Sequence, residues 1–328
     1  MISAESAAVD RVDRQIIHAL QVAPRAAFAT IGQALQISEQ TVARRYRRME
    51  SSGIIRVLAL TTPWTAGFET WLLRIQCRPD AAGPLADVLA RRPDVRWVNL
   101  SAGGSEVTCS TFTRPGSGQD LLLHRLPRTT QVRGLSAYSV LHRFDVGQEW
   151  GGFGDPLTRR QVRLVQAEPL PDCDEAVTPP DGALVTALAR NGRASLSELA
   201  RVTGWPLARV SRRLNQLLGS GALDLDVDVD AMQLGFHSTC HLFMTVAPRD
   251  LQAVGTAVAD HEEVAYCVAM TGSANLTAVV ICRNAEDLYR YVTTRIGALP
   301  AVRQLEVSPV LRRVKQAGTI MTDTGIAR

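Results

Sequence analysis

ISEQTVARRYRRMESSGII, residues 37–55, crowds Arg44, Arg45, Arg47 and Arg48 into little more than one helical turn. Ser38 stands where a helix N-cap is wanted, and Glu39 falls in the first turn, where the helix dipole favours negative charge. At about 100° per residue, Val42, Tyr46 and Met49 share one face. Gln40, Thr41, Arg44, Arg47 and Arg48 share the other, with Arg45 on the flank. Gly53 ends the helix and IIRVLAL opens a strand. The stripe docks this helix on neighbours and leaves a guanidinium-rich ridge outward.

The outline of that stretch returns at residues 205–223 as WPLARVSRRLNQLLGSGAL. Sliding the chain by 168 positions brings Asp13 onto Asp181, Arg25-Ala26 onto Arg193-Ala194, Arg44-Arg45 onto Arg212-Arg213, and Gly67-Phe68 onto Gly235-Phe236. Beyond one inserted residue, DVRWVNLSAGGSEVTCSTF follows the pattern of EVAYCVAMTGSANLTAVVI, and VRGLSAYSVLHR that of VRQLEVSPVLRR. The period is too long for a solenoid, so the chain reads as two whole units in tandem. At 328 residues it is also too long for one ordinary core.

Each unit opens with three short helices and a strand, over residues 9–60 and 181–226, a winged helix-turn-helix layout whose third helix enters a DNA major groove. An arginine run on an exposed helix can be only a solvated face. The three-helix context, the polar Gln40-Thr41 start and the recurrence argue for DNA instead. In the second unit Val210, Leu214 and Leu217 make the stripe, while Arg209, Arg212, Asn215 and Gln216 face out; Arg213, aligned with Arg45, joins the candidates. Pro206 replaces the N-cap serine, as a first turn tolerates.

The remainder of each unit, residues 66–145 and 234–315, alternates as βαββαβ, a ferredoxin-like sandwich, so the fold class is α+β. QDLLLHRL is expected to be the second helix of the first sandwich. Residues 146–180, rich in Gly and Pro, form a linker in which RRQVRLVQ reads as a strand, and 316–328 form a tail. One sheet face is left uncovered in each sandwich. Apolar burial at about 25 cal/mol per Å² therefore favours pairing of the two sheets face to face, as a pseudo-dimer within the chain that can assemble further.

Net charge is only +4, so a polyanion partner follows from where the arginines sit, not from their sum. No apolar run approaches the roughly 20 residues of a membrane span, and the start lacks a signal-peptide pattern. Cys77, Cys109, Cys173, Cys240, Cys267 and Cys282 are scattered and read as reduced, mostly buried thiols of a cytoplasmic protein. LDLDVDVD puts Asp224, Asp226, Asp228 and Asp230 on one strand face. A calcium loop from Asp226 would need glycine at Ala231 and glutamate at His237, so a solvated edge strand is expected there. No G-x-S-x-G, P-loop or H-E-x-x-H occurs, and no catalytic residue, metal or cofactor is expected.

DRVDRQIIHAL, R-x-x-F, S-x-x-T-V-x-R-R and M-E-x-x-G-I-I resemble the leucine-responsive/asparagine regulator (Lrp/AsnC) family, and the βαββαβ part resembles its RAM domain. The resemblance implies a transcription regulator that responds to a small effector, commonly an amino acid, bound between RAM domains. The family's G-x-x-D/N effector turn maps to Gly272, Ser273, Ala274 and Asn275 in the second unit. In the first it maps to Gly103, Gly104, Ser105 and Glu106, departing at its last residue. Glycines there let backbone amides approach a carboxylate, though both stretches also read as plain hairpin turns. Family members usually carry one unit per chain, and a doubled chain with unequal recognition helices is expected to favour an imperfect inverted repeat in double-stranded DNA. Siroheme decarboxylases resemble the same fold and sometimes occur fused, but their H-N-Y motif is missing here. A DNA-free amino-acid sensor is the other alternative.

Overall fold

The computed structural model describes residues 9–62, 67–113, 126, 131–146, 157–166, 170–171, 173–317, 319–322 and 325–326. In chain order the elements are α1 (Arg11–Val22), α2 (Phe28–Leu35), α3 (Glu39–Ser51), β1 (Ile55–Thr61), β2 (Glu69–Cys77), α4 (Pro79–Ala90), β3 (Val95–Ser101), β4 (Glu106–Thr113), β5 (Val132–Arg143) and α5 (Arg159–Val165). The second half continues with α6 (Gly182–Arg190), α7 (Leu196–Thr203), α8 (Leu207–Gly219), β6 (Leu223–Val229), β7 (Ser238–Val246), α9 (Leu251–Ala259), β8 (Val264–Met270), β9 (Leu276–Cys282), α10 (Ala285–Arg290), β10 (Val302–Gln316), β11 (Thr319–Thr322) and β12 (Gly325–Ile326). The expected helix QDLLLHRL lies outside the described residues except for Leu126.

The chain divides by kind, not by copy. One compact unit holds Met1–Phe68, Asp155–Asp230 and Asp323–Arg328, with both helix-turn-helix domains; the other holds Glu69–Gly154 and Ala231–Thr322, with both sandwiches.

In the first unit β1 and β6 pair antiparallel from Ile55↔Val229 to Thr61↔Leu223, centred on Leu58↔Asp226, themselves 168 positions apart. A register centred on equivalent residues is the signature of a two-fold pairing. The side chains repeat it: Arg25 donates to the carbonyls of Gly192 and Ala194 at 2.5 and 2.9 Å, and Arg193 returns bonds to those of Pro24 and Ala26 at 2.5 and 2.8 Å. LDLDVDVD is an edge strand, since β6 pairs only with β1 among the described residues, but its face is not wholly solvated: Asp224 is exposed, Asp226 and Asp230 are half-buried, and Asp228 is buried opposite Arg56. The strand expected at RRQVRLVQ is a helix instead, α5. Thr158 and Gln161 form a reciprocal capping box, and Leu157 and Val165 are buried. Its contacts are with α1 and α2: the Leu157 N–H donates to His18 Nδ1 at 2.8 Å, and Gln161 Nε2 donates to the Ala34 carbonyl at 3.1 Å. Farther on, Ile326 N–H donates to the Gly53 carbonyl.

In the second unit each sandwich has its own antiparallel sheet, β3-β4-β2-β5 and β8-β9-β7-β10. The two sheets also exchange their last strands. Val140–Arg143 of β5 leave β2 to pair with β8, and Val310–Lys315 of β10 leave β7 to pair with β3, closing a ring of eight strands. Pro309, which has no N–H to give a ladder, stands where β10 changes partners. Past the crossover, Phe144 buries itself in the core of the second sandwich and Val314 in that of the first. Gly255 of α9 is the seat for Phe144: a Cβ there would lie 2.0 Å from the ring.

Between the sheets, Leu72, Phe243 and Met270 form a small apolar cluster. Arg74 stacks 4.1 Å above the Phe243 ring and pairs with Glu106 at 3.0 Å and Glu306 at 2.5 Å. The Asn99 amide nitrogen lies 3.2 Å from His241 Nε2. Burial, then the charges of Arg313 and Arg74, push the His241 imidazole down to about 4, which leaves it neutral. All six cysteines are free thiols; five are buried and Cys173 is half-buried.

Candidate DNA interface and effector loops

The third helix of each helix-turn-helix domain is α3 or α8. Ser38 caps α3 by accepting the Thr41 N–H, and Val42, Tyr46 and Met49 are buried against the domain. Gln40, Arg44 and Arg47 face solvent, with Thr41 half-exposed beside its hydroxyl contact to Ser38 at 2.9 Å. Neither Arg44 nor Arg47 pairs with a carboxylate among the described residues. In α8, Val210, Leu214 and Leu217 make the buried stripe, and Arg209, Arg212 and Asn215 are exposed, Arg209 lying 4.1 Å over the Trp205 ring.

Arg45 and Arg213 leave the DNA-facing set. Arg45 reaches back to Asp10 at 2.6 Å and to the buried Asp13 at 2.9 Å. Arg213 forks onto the buried Asp181 at 2.8 Å and pairs with Glu175 at 2.6 Å. Both contacts join the third helix to the start of the first helical segment, at positions that match under the 168-residue shift. Arg48 also pairs with Asp13, so it is divided between fold and surface, whereas the helical wheel placed it wholly outward. Gln216 is half-buried against Glu175 instead of facing out. A wheel shows only the helix's own periodicity; a long guanidinium on its flank can cross to a neighbouring helix. The signal was present as the joint recurrence of Asp13 with Arg45 and of Asp181 with Arg213.

Hydrogen bonds from Arg213 hold the Asp181 carboxyl down at about 2, against an ordinary 3.8. A carboxyl depressed by folding stabilises the fold fully above its unfolded value and loses that contribution as pH falls. Unfolding free energy should therefore drop by about 2 kcal/mol between pH 4 and pH 2, at about 1.36 kcal/mol per unit. In Arg213→Ala the drop in that window should shrink, as urea titrations at stepped pH would show.

The two turns expected to hold the effector lie in the sandwich unit. Gly272, with φ +104°, is exposed beside Ser273, and a Cβ on it would meet the Tyr138 ring at 2.8 Å. Thr271 N–H donates to the Ser139 carbonyl, so this turn sits against β5 of the other sandwich. Asn275 is not a free acceptor for an ammonium group. Its Oδ1 accepts the Val246 N–H at 2.9 Å and its Nδ2 donates to the Val246 carbonyl at 2.8 Å, which pins the end of β7. In the first sandwich Gly103 is exposed, Gly104 approaches Leu311 of β10, and the Ser105 hydroxyl donates back to the Ala102 carbonyl at 2.9 Å. Glu106, where the family pattern has Asp or Asn, is buried on Arg74. Among the described residues no group of three or more His, Cys, Asp or Glu could hold a metal, and no helix is long and apolar enough to cross a membrane.

Comparison with known proteins matches the same elements. The AsnC-type helix-turn-helix model covers residues 9–50, a winged helix-turn-helix DNA-binding model covers 180–222, and the Lrp/AsnC ligand binding domain model covers 239–320. The chain belongs to the Lrp/AsnC family. Its helix-turn-helix and ligand-binding domains make this Lrp/AsnC protein a DNA-binding transcription regulator. Relatives include an uncharacterized HTH-type transcriptional regulator of Pyrococcus abyssi, 29% identical over 32% of this chain and 68% of that protein. The HTH-type transcriptional regulator LrpA of Pyrococcus abyssi is 21% identical over 41% of this chain and 96% of that one. Among solved structures, the siroheme decarboxylase NirDL superposes with a TM-score of 0.64 at 13% identity, covering 94% of this chain and 93% of that one. At that identity the likeness is one of fold.

Proposed function

We propose that one chain of this Lrp/AsnC regulator is a complete, unequal reader of an imperfect inverted repeat, with α3 on the stronger half-site and α8 on the weaker. The observation that carries this reading is the β1–β6 pairing centred on Leu58↔Asp226, reinforced by the reciprocal Arg25 and Arg193 bonds. A two-fold protein presents its recognition helices to half-sites of matching symmetry. The helices differ, Gln40, Arg44 and Arg47 against Arg209, Arg212 and Asn215, so the half-sites should differ as well. Selecting bound fragments from the source genome tests it. Enriched fragments with a single half-site, or with two direct half-sites, would overturn the inverted-repeat reading.

The effector in this proposal is a small amino acid or related metabolite seated at Gly272 and Ser273, against β5 of the first sandwich, where it would bias how the sandwiches assemble. Backbone amides beside an exposed glycine suit a carboxylate. A thermal-shift screen of amino acids should find a stabilising compound whose effect disappears in Ser273→Trp. A hit that stabilises both proteins equally would remove the turn from the site. Further assembly of chains and a cytoplasmic location belong to the same reading.

The NirDL likeness raises a second reading, a tetrapyrrole enzyme on this fold. Helix-turn-helix relatives and the outward arginines of α3 favour the regulator, and the purified protein is expected to show no tetrapyrrole absorbance band.

A further inference from the structure

α5 lies in the stretch that joins the two sequence repeats and is no part of either recognition helix. Its sequence, LTRRQVRLVQ over residues 157–166, carries Arg159, Arg160 and Arg163 and no acidic residue. All three arginines are exposed, and none has a partner among the described residues. The helix is nonetheless seated: its capping box, the buried Leu157 and Val165, and the bonds to His18 and Ala34 hold it on the first helix-turn-helix domain. The Ala34 carbonyl lies in the last turn of α2, just before the left-handed Gln36 that swings the chain into α3. In a helix-turn-helix the helix before the recognition helix crosses the phosphate backbone. Here that helix, FATIGQAL, has no charged side chain of its own.

We propose that α5 is a basic accessory helix of the first helix-turn-helix domain, whose Arg159, Arg160 and Arg163 contact DNA phosphates beside α2. The inference rests on the DNA-binding reading above and adds a surface to it. Fixed arginines next to an uncharged backbone-crossing helix supply the cations that this helix lacks. Such contacts are indifferent to sequence and act through counterion release. They would strengthen the first half-site without changing which bases are read.

The test uses the full chain with Arg159, Arg160 and Arg163 all changed to Gln, and binding to a mixed-sequence DNA duplex measured by anisotropy over a series of salt concentrations. Each phosphate contact contributes about 0.9 to the slope of log K against log salt, so the slope should flatten by roughly 2–3. The corresponding triple Arg→Lys variant, which keeps the charges, should stay near the wild-type slope. Thermal melting of both variants should match wild type, since the three side chains are exposed and have no partner among the described residues. Arg44→Ala with Arg47→Ala is measured alongside. A wild-type slope in the Gln variant, with binding lost in the α3 variant, would overturn the role of α5 and leave the DNA reading standing. Failure of the wild-type chain to bind duplex DNA would overturn both.

Discussion

Replacing Arg44 and Arg47 together by alanine is expected to weaken operator binding by about 2–6 kcal/mol, at roughly 1–3 kcal/mol for each base contact. Thermal stability should stay near wild type, because both side chains are exposed and neither belongs to the Val42, Tyr46 and Met49 stripe. Replacing Arg45 and Arg48 together should do the reverse. It strands the buried Asp13 carboxylate, and an uncompensated buried charge costs about 3–5 kcal/mol of stability. Anisotropy on a selected operator at fixed salt, with melting curves for both variants, separates the two pairs. Unchanged affinity in a folded Arg44/Arg47 variant would mean that α3 does not read the DNA.

The second large effect is expected at Phe144. By sequence it trails β5 of the first sandwich, yet its ring is buried in the core of the second, on Gly255. Phe144→Ala should cost about 3–5 kcal/mol, the range for emptying a buried aromatic site. The loss should appear in the hydrogen exchange of β7 and β9, far along the chain from the substitution. Undiminished protection of those strands would show that Phe144 is no part of their core. Gly255→Ala should also be destabilising, since its Cβ falls within the ring volume.

Much of this protein was legible from its residues. The 168-residue repeat, the three helices of each reader, the apolar stripe of α3 and the alternating strands of both sandwiches are local patterns, carried by periodicity, capping residues and turn glycines. RRQVRLVQ, the stretch of α5, is too short for period to decide between strand and helix. What settles it is the Thr158–Gln161 box together with docking on α1 and α2. The Gly272 turn is legible as a turn, but the engagement of Asn275 by Val246 joins residues 29 positions apart and leaves no periodic trace.

Two copies, the elements within each and the cation-bearing face of α3 are all written in patterns between near neighbours along the chain. The association of like domain with like, the crossing of β5 and β10 into each other's sheets, and the inward turn of Arg45 and Arg213 arise in the folded chain. The reason is physical. Helix and strand periodicity follow from neighbours along the chain. Strand partners, ion pairs and shared cores are chosen by burial and charge between segments that the fold brings together.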